Sequence, residues 1–165
     1  MTQIAPGALP LERLAAERDE ARARATLAEQ RNDQLLRLCV SLSLLAGAVS
    51  TDAVASALAE IVVNVVGSER FAILEHATAG PPRVLASMGL DAIAVARLAR
   101  GDGDTVARVP LTVGTRTVGE LAIAGMLEHK PALDAFDHEL LAILSTAAGS
   151  ALHGACLRDA AGAPV

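Results

Sequence analysis

The side chains able to do chemistry are few, and their spacing is unpromising. Cys39 and Cys156 stand far apart, and neither lies in a C-x-x-C pair, so no zinc or thioredoxin-type motif exists. Both read as small buried hydrophobes. His76, His129, His138 and His153 share no metal-ligand spacing. Asp102-Gly103-Asp104 lacks an EF-hand frame, and such a pair makes a turn more readily than a calcium site. Ser41, Ser43, Ser50 and Ser145 have neither a G-x-S-x-G context nor a paired base. No glycine-rich loop has Walker or dinucleotide spacing. The expectation is a protein that is not an enzyme, with no catalytic residue, no cofactor and no metal. The charged residues leave one opening. Arg97, Arg100, Arg108 and Arg116, with Arg83, could converge on the open side of a sheet and hold an anionic ligand. Dispersed surface arginines are the plain alternative.

Composition narrows the partners. Of 165 residues 52% are hydrophobic and mean hydropathy is +0.41, enough for a real core. Aromatics are two Phe, with no Tyr or Trp, so that core must be built from Leu, Val, Ile and Ala. Recognition of single-stranded nucleic acid wants aromatic stacking platforms. A net charge of −5 opposes binding to a phosphate backbone. No nucleic-acid partner is expected. Lys130 is the single lysine, and the excess of arginine is the imprint of GC-rich coding. Unpaired cysteines and no signal-peptide pattern predict a cytoplasmic protein with reduced thiols. Residues 35–49 are very apolar, but Arg37 interrupts them and they fall short of the ~18 residues that span a bilayer. No membrane span is expected.

The elements that would position any site begin with a long helix over residues 9–49, after a flexible tail at 1–8. Pro10 suits a first helical turn. A heptad then runs with Leu11, Arg18, Ala25, Asn32, Cys39 and Ala46 at a, and Leu14, Ala21, Ala28, Leu35, Leu42 and Val49 at d. Asn32 at an a position is a device for register and two-strandedness. Glu17 with Arg22 and Arg24 with Glu29 fall at g and the following e, attractive pairs in a parallel dimer. The expected dimer interface is Leu11, Leu14, Asn32, Leu35, Cys39 and Leu42. Leu36, Leu38, Leu44 and Leu45 widen the stripe, so residues 35–49 should touch both a twin helix and the globular domain.

The globular part is expected over 50–157, with a flexible tail at 158–165. Ser50, Thr51 and Asp52 are N-cap candidates for a helix over 53–66 that Gly67 ends. Strands follow over 70–77 and 83–87, then a short helix over 91–100. Residues 105–112 and 117–124 read as a hairpin about Gly114-Thr115, with Gly119 marking a bulge or close backbone approach. Asp134 should cap a last helix, with Asp137 at N3. This order predicts an α+β fold in which helices pack on one face of an antiparallel sheet.

Val109-Pro110-Leu111, the turn at Gly114, and Val118-Gly119-Glu120-Leu121-Ala122-Ile123 resemble the signature hairpin of the GAF domain family. Phe136-Asp137, Leu140-Leu141, Leu144, Ala147-Ala148 and Ala151-Leu152 fit its terminal helix. Phe71-Ala72-Ile73-Leu74 and Ala86-Ser87-Met88-Gly89 fit its first half. The resemblance covers about residues 40–157. It implies a sensory module, commonly dimeric through terminal helices. It departs from ligand-binding members in having only residues 90–108 where they spend a long pocket-roofing insertion. The same compact order is similar to roadblock/longin-type dimerisation modules. The expectation is a non-catalytic signalling or protein-interaction module acting as a parallel homodimer, with a second copy of itself and another signalling protein as partners. The alternative is a sensor for a nucleotide or metabolite, with a pocket under residues 90–108.

Overall fold

A computed structural model of the chain describes residues 8–77 and 80–162, with side chains from Arg13 onward. Of the flexible tails expected at 1–8 and 158–165, residues 1–7 and 163–165 lie outside the described residues, as does the side chain of Leu11. The chain divides into two compact units, Met1–Arg37 and Leu38–Val165. The first consists, where described, of the helix α1, which spans Ala8–Gly47 and continues into the second. The boundary falls earlier than the 49/50 junction read from the sequence. The reason is that Leu45 and Ala48 are buried in the core of the second unit, with Leu38 packed against it.

The second unit runs α2 (Thr51–Ile61), a π-helical turn (Val62–Val66), β1 (Arg70–Glu75), β2 (Arg83–Met88), α3 (Ala92–Ala99), β3 (Ala107–Val113), β4 (Arg116–Gly125) and α4 (Ala135–Ala161). The four strands form one antiparallel sheet in the order β2-β1-β4-β3. The α+β class, the antiparallel sheet and the long N-terminal helix are as expected. Ser50 is the N-cap of α2, its hydroxyl accepting from the Ala53 amide at 3.2 Å. Gly67 closes the π turn at φ 79, where its amide donates to the Val62 carbonyl at 3.0 Å.

Register places the two faces of the sheet. Phe71 pairs with Ile123, Ile73 with Leu121, and Val109 with Leu121. These residues share a core with Leu58 and Ile61 of α2 and Leu140, Leu144 and Leu152 of α4. The opposite face carries Ala72, Leu74 and Ala122 beneath Leu98 of α3. The helices are therefore not confined to one face: α2 and α4 cover one, α3 the other. β1 shows why. Phe71-Ala72-Ile73-Leu74 is an unbroken apolar run, as a strand buried on both sides must be.

The hairpin turns on Gly114 at φ 58, with Val113 opposite Arg116. Leu111 faces Gly119 but Thr112 faces Thr117, so β4 bulges at Val118. A Cβ on Gly119 would stand 2.5 Å from the Leu74 carbonyl oxygen, the close approach that its position suggested. β3 is an edge strand. It carries Pro110, whose carbonyl accepts from the Ser145 hydroxyl of α4.

α4 begins at a complete capping box. Asp134 accepts from the Asp137 amide at 2.9 Å, and Asp137 accepts from the Asp134 amide at 2.8 Å. Asp137 is fully buried, and the Lys130 ammonium meets its second oxygen at 2.7 Å. α4 runs to Ala161 rather than stopping near residue 157, so Arg158 and Asp159 belong to the helix and not to a tail. Its length and apolarity would suffice to cross a membrane, a property it shares with core helices of folded domains, and eight of its residues are buried here.

Candidate functional site

Two features of the second unit and one stripe of the first bear on function. Along α1, Leu14, Asn32 and Leu35 are exposed, Leu35 to 58%. Within the second unit Cys39, Ala46 and Val49 are exposed, and Leu42 is half-buried. Against them stand Leu38, Ser41, Leu45 and Ala48, which turn toward the domain, Leu45 to 2% exposure. In heptad terms the domain takes the g and c positions over residues 38–48 and leaves a and d exposed there, apart from the half-buried Leu42. Leu38 and Leu45 thus account for part of the extra apolar width, while Leu36 and Leu44 remain exposed. Cys39 is not the buried small hydrophobe that composition suggested. Of the g and e charges, Arg24 binds Glu20 along its own helix at 2.5 Å, with both side chains exposed. Such an i,i+4 pair contributes about 0.3–0.5 kcal/mol.

The uncovered seam of the second unit opens onto an apolar groove of about 470 Å³. One wall is Leu42, Leu45 and Ala46; the other is the small-residue face of α4, including Ala147, Ala151 and Gly154. Small residues let a further helix approach closely, which is why their face forms a groove and not a ridge.

The end of α4 is tied to the connection between α1 and α2. Arg158 donates from Nε to the Val49 carbonyl at 2.9 Å and from Nη2 to Ala48 at 3.4 Å, satisfying carbonyls just past the end of α1. Asp159 accepts from the Thr51 hydroxyl at 2.6 Å and from the Thr51 amide at 3.1 Å. Beside it the Cys156 thiol donates to Glu75 at 2.9 Å, and Arg83 Nε donates to the other Glu75 oxygen at 2.6 Å. Burial pushes the Cys156 thiol up, and the neighbouring Glu75 carboxylate adds to it, in keeping with the thiol's role as hydrogen-bond donor to Glu75. Burial alone would raise Glu75, but the Cys156 and Arg83 hydrogen bonds outweigh it and hold the carboxyl below its usual range. Glu75 in turn raises Arg83. The Thr51 hydroxyl and then its amide lower Asp159. Among the described residues no group of His, Cys, Asp or Glu is arranged for a metal.

This clasp predicts a pH dependence. A carboxyl depressed in the folded state stabilises fully above its unfolded value and loses that contribution as pH falls through its folded value. Urea-unfolding free energies of the native chain and of Asp159→Ala should therefore differ at neutral pH and draw together in acid, below the ordinary carboxylate range. A gap of constant size at every pH would refute the role of the ionised form.

The arginines expected to gather, Arg83, Arg97, Arg100, Arg108 and Arg116, are placed as follows. Arg108 binds Glu120 and donates to the Leu98 carbonyl at 3.3 Å, capping α3. Arg100 stands 3.6 Å from Asp102. Arg97 reaches only the Asp102 carbonyl, at 3.3 Å. Arg116 is at the hairpin end. Arg83 binds Glu75, its partner across the β1–β2 ladder. The space between α3 and the sheet is filled by Leu98, Ala72, Leu74 and Ala122. What remains is a rim hollow of about 270 Å³ beside Arg70 and Arg97. Arg70 was not singled out in the sequence; only its place at the head of β1, ahead of a fully apolar run, could have marked it.

No family model, curated protein or solved structure matches this chain.

Proposed function

We propose that this chain is a non-catalytic, GAF-like signalling and protein-interaction module of the cytoplasm that works as a parallel homodimer through α1. One observation carries the reading: the domain covers Leu38, Ser41, Leu45 and Ala48, g and c positions at the end of α1, while Leu14 and Leu35 at d and Cys39 and Ala46 at a stay exposed. Leucines left exposed in register along a helix are stabilised most by a second helix of the same register. The groove along Ala147, Ala151 and Gly154 extends the same contact to α4. The clasp of Arg158 and Asp159 then supports the output: a change in helix packing at α1 would reach α4 through the same two residues, and a partner signalling protein would read it. Asn32, exposed at an a position, fits the register-setting role.

Cys39 provides the experiment. In a parallel pair an a-position residue faces its twin at about 6 Å between Cα atoms, within reach of a disulfide. Mild oxidation should give a covalent dimer that Cys39→Ser abolishes and Cys156→Ser does not. The thiol is exposed, so access is not limiting. Sedimentation equilibrium at tens of micromolar that finds only monomer, together with no Cys39 cross-link, would remove the dimer from the reading.

A further inference from the structure

The hollow at the rim of the α3 face has a built wall. Its sides are small: Ala94 of α3, Ala124 of β4 and Gly103. Leu98 packs closely on Gly103, where a Cβ would lie 2.5 Å from Leu98 Cδ2. Across it stands Arg70, whose stem runs between two glycines. A Cβ on Gly89 would lie 2.9 Å from Arg70 Cγ, and one on Gly125 would lie 3.1 Å from Arg70 Cδ. Gly89 also sits at φ 62, with the Glu69 carbonyl 2.2 Å from where its Cβ would be. Any side chain at either position would displace the arginine. Among the described residues Arg83, Arg100 and Arg108 each hold a carboxylate, but Arg70 and Arg97 hold none. Two arginines that hold no carboxylate therefore border a cavity whose apolar lining includes Leu90, Ala94 and Ala124.

We propose that this hollow binds a small monocarboxylic acid with a short apolar chain. The carboxylate takes the planar fork of Arg70 and is shared with Arg97, and the chain lies on Leu90, Ala94 and Ala124. Its size points to a compact acid, since about 270 Å³ is below the ~300–1,000 Å³ of sites for drug-sized ligands. Asp104 sets the charge. Asp104 belongs to the same lining, so a second negative charge on the ligand meets its repulsion. A monoanion escapes that penalty, whereas phosphate and dicarboxylates do not. The site uses nothing of α1 and is independent of the dimer.

The test is an amide-shift titration of the full chain with butyrate, acetate and inorganic phosphate. Butyrate should move the amides of Ala94, Gly103 and Ala124 saturably, with Kd on the order of 1 mM for so few atoms. Acetate should bind more weakly for want of the chain, and phosphate more weakly still. Arg70→Gln should weaken butyrate by roughly tenfold, the scale of one charge-assisted hydrogen-bonded pair. Asp104→Asn should narrow the gap between butyrate and phosphate. Ala124→Leu fills the hollow and should abolish binding with Arg70 intact, so it carries the test if Arg70→Gln does not fold. Linear shifts without saturation, phosphate equal to butyrate, or binding undiminished in both Arg70→Gln and Ala124→Leu would overturn the proposal.

Discussion

Gly149→Ala should destabilise the second unit by about 2 kcal/mol, and Gly154→Ala, five residues on in the same helix, should leave it unchanged or slightly more stable. Helix propensity alone favours both changes, by about 0.8–1 kcal/mol each. Packing decides between them. A Cβ on Gly149 would lie 2.3 Å from the carbonyl oxygen of Thr112 and 2.4 Å from its amide nitrogen. Those are main-chain atoms of β3, held in the ladder with β4, and they have no rotamer by which to yield. α4 must lift from the sheet, and overpacking of this kind costs about 1–3 kcal/mol, occasionally more. At Gly154 the nearest atom is an Arg158 guanidinium nitrogen at 3.5 Å, ordinary contact with a flexible tip. Thermal unfolding checks the pair: a fall in Tm of several degrees for one and none for the other. Equal effects would mean that the α4–β3 approach is looser than its geometry requires.

Leu35→Glu should weaken self-association by at least roughly 100-fold and leave the fold of the separate chain intact. In one copy Leu35 is 58% exposed, so the substitution removes little that the domain needs. In the proposed parallel dimer it is a d residue, and each chain forfeits about 1.5–3 kcal/mol of side-chain burial. Two chains together exceed the ~2.8 kcal/mol that corresponds to 100-fold. Sedimentation equilibrium should show the shift to monomer while circular dichroism of the second unit stays as before. Loss of the folded signal along with the dimer would instead mean that Leu35 supports the chain itself.

How far the residues foretold this arrangement depends on the kind of signal. The hairpin was legible because glycine chemistry and alternation fix a two-residue turn locally, and Gly114 and Gly119 do what their types imply. The α4 cap was equally local: Asp134 and Asp137 three apart ahead of an apolar run. The placement of α3 was harder, because periodicity marks an apolar face without saying what it meets. The cue lay in β1, where Phe71-Ala72-Ile73-Leu74 lacks alternation and so demands cover on both faces. The end of α4 was read short because Arg158 and Asp159 look like a polar tail. Their purpose is visible only once residues 48–51 are brought beside them, more than a hundred positions away in sequence. The partners of the arginines were hidden for a similar reason. Charge type was legible, but partners such as Glu120 for Arg108 depend on strand register.

Pro110 on the outer strand has a consequence for how copies can accumulate. Its nitrogen carries no hydrogen, and its carbonyl is already taken by Ser145. A foreign strand approaching β3 finds neither donor nor acceptor at the middle of its template, so growth of the sheet by edge-to-edge accretion is blocked there. Aggregation of the cross-β kind is denied its simplest start on that side. Growth of the sheet by added strands is then left to β2, the other outer strand.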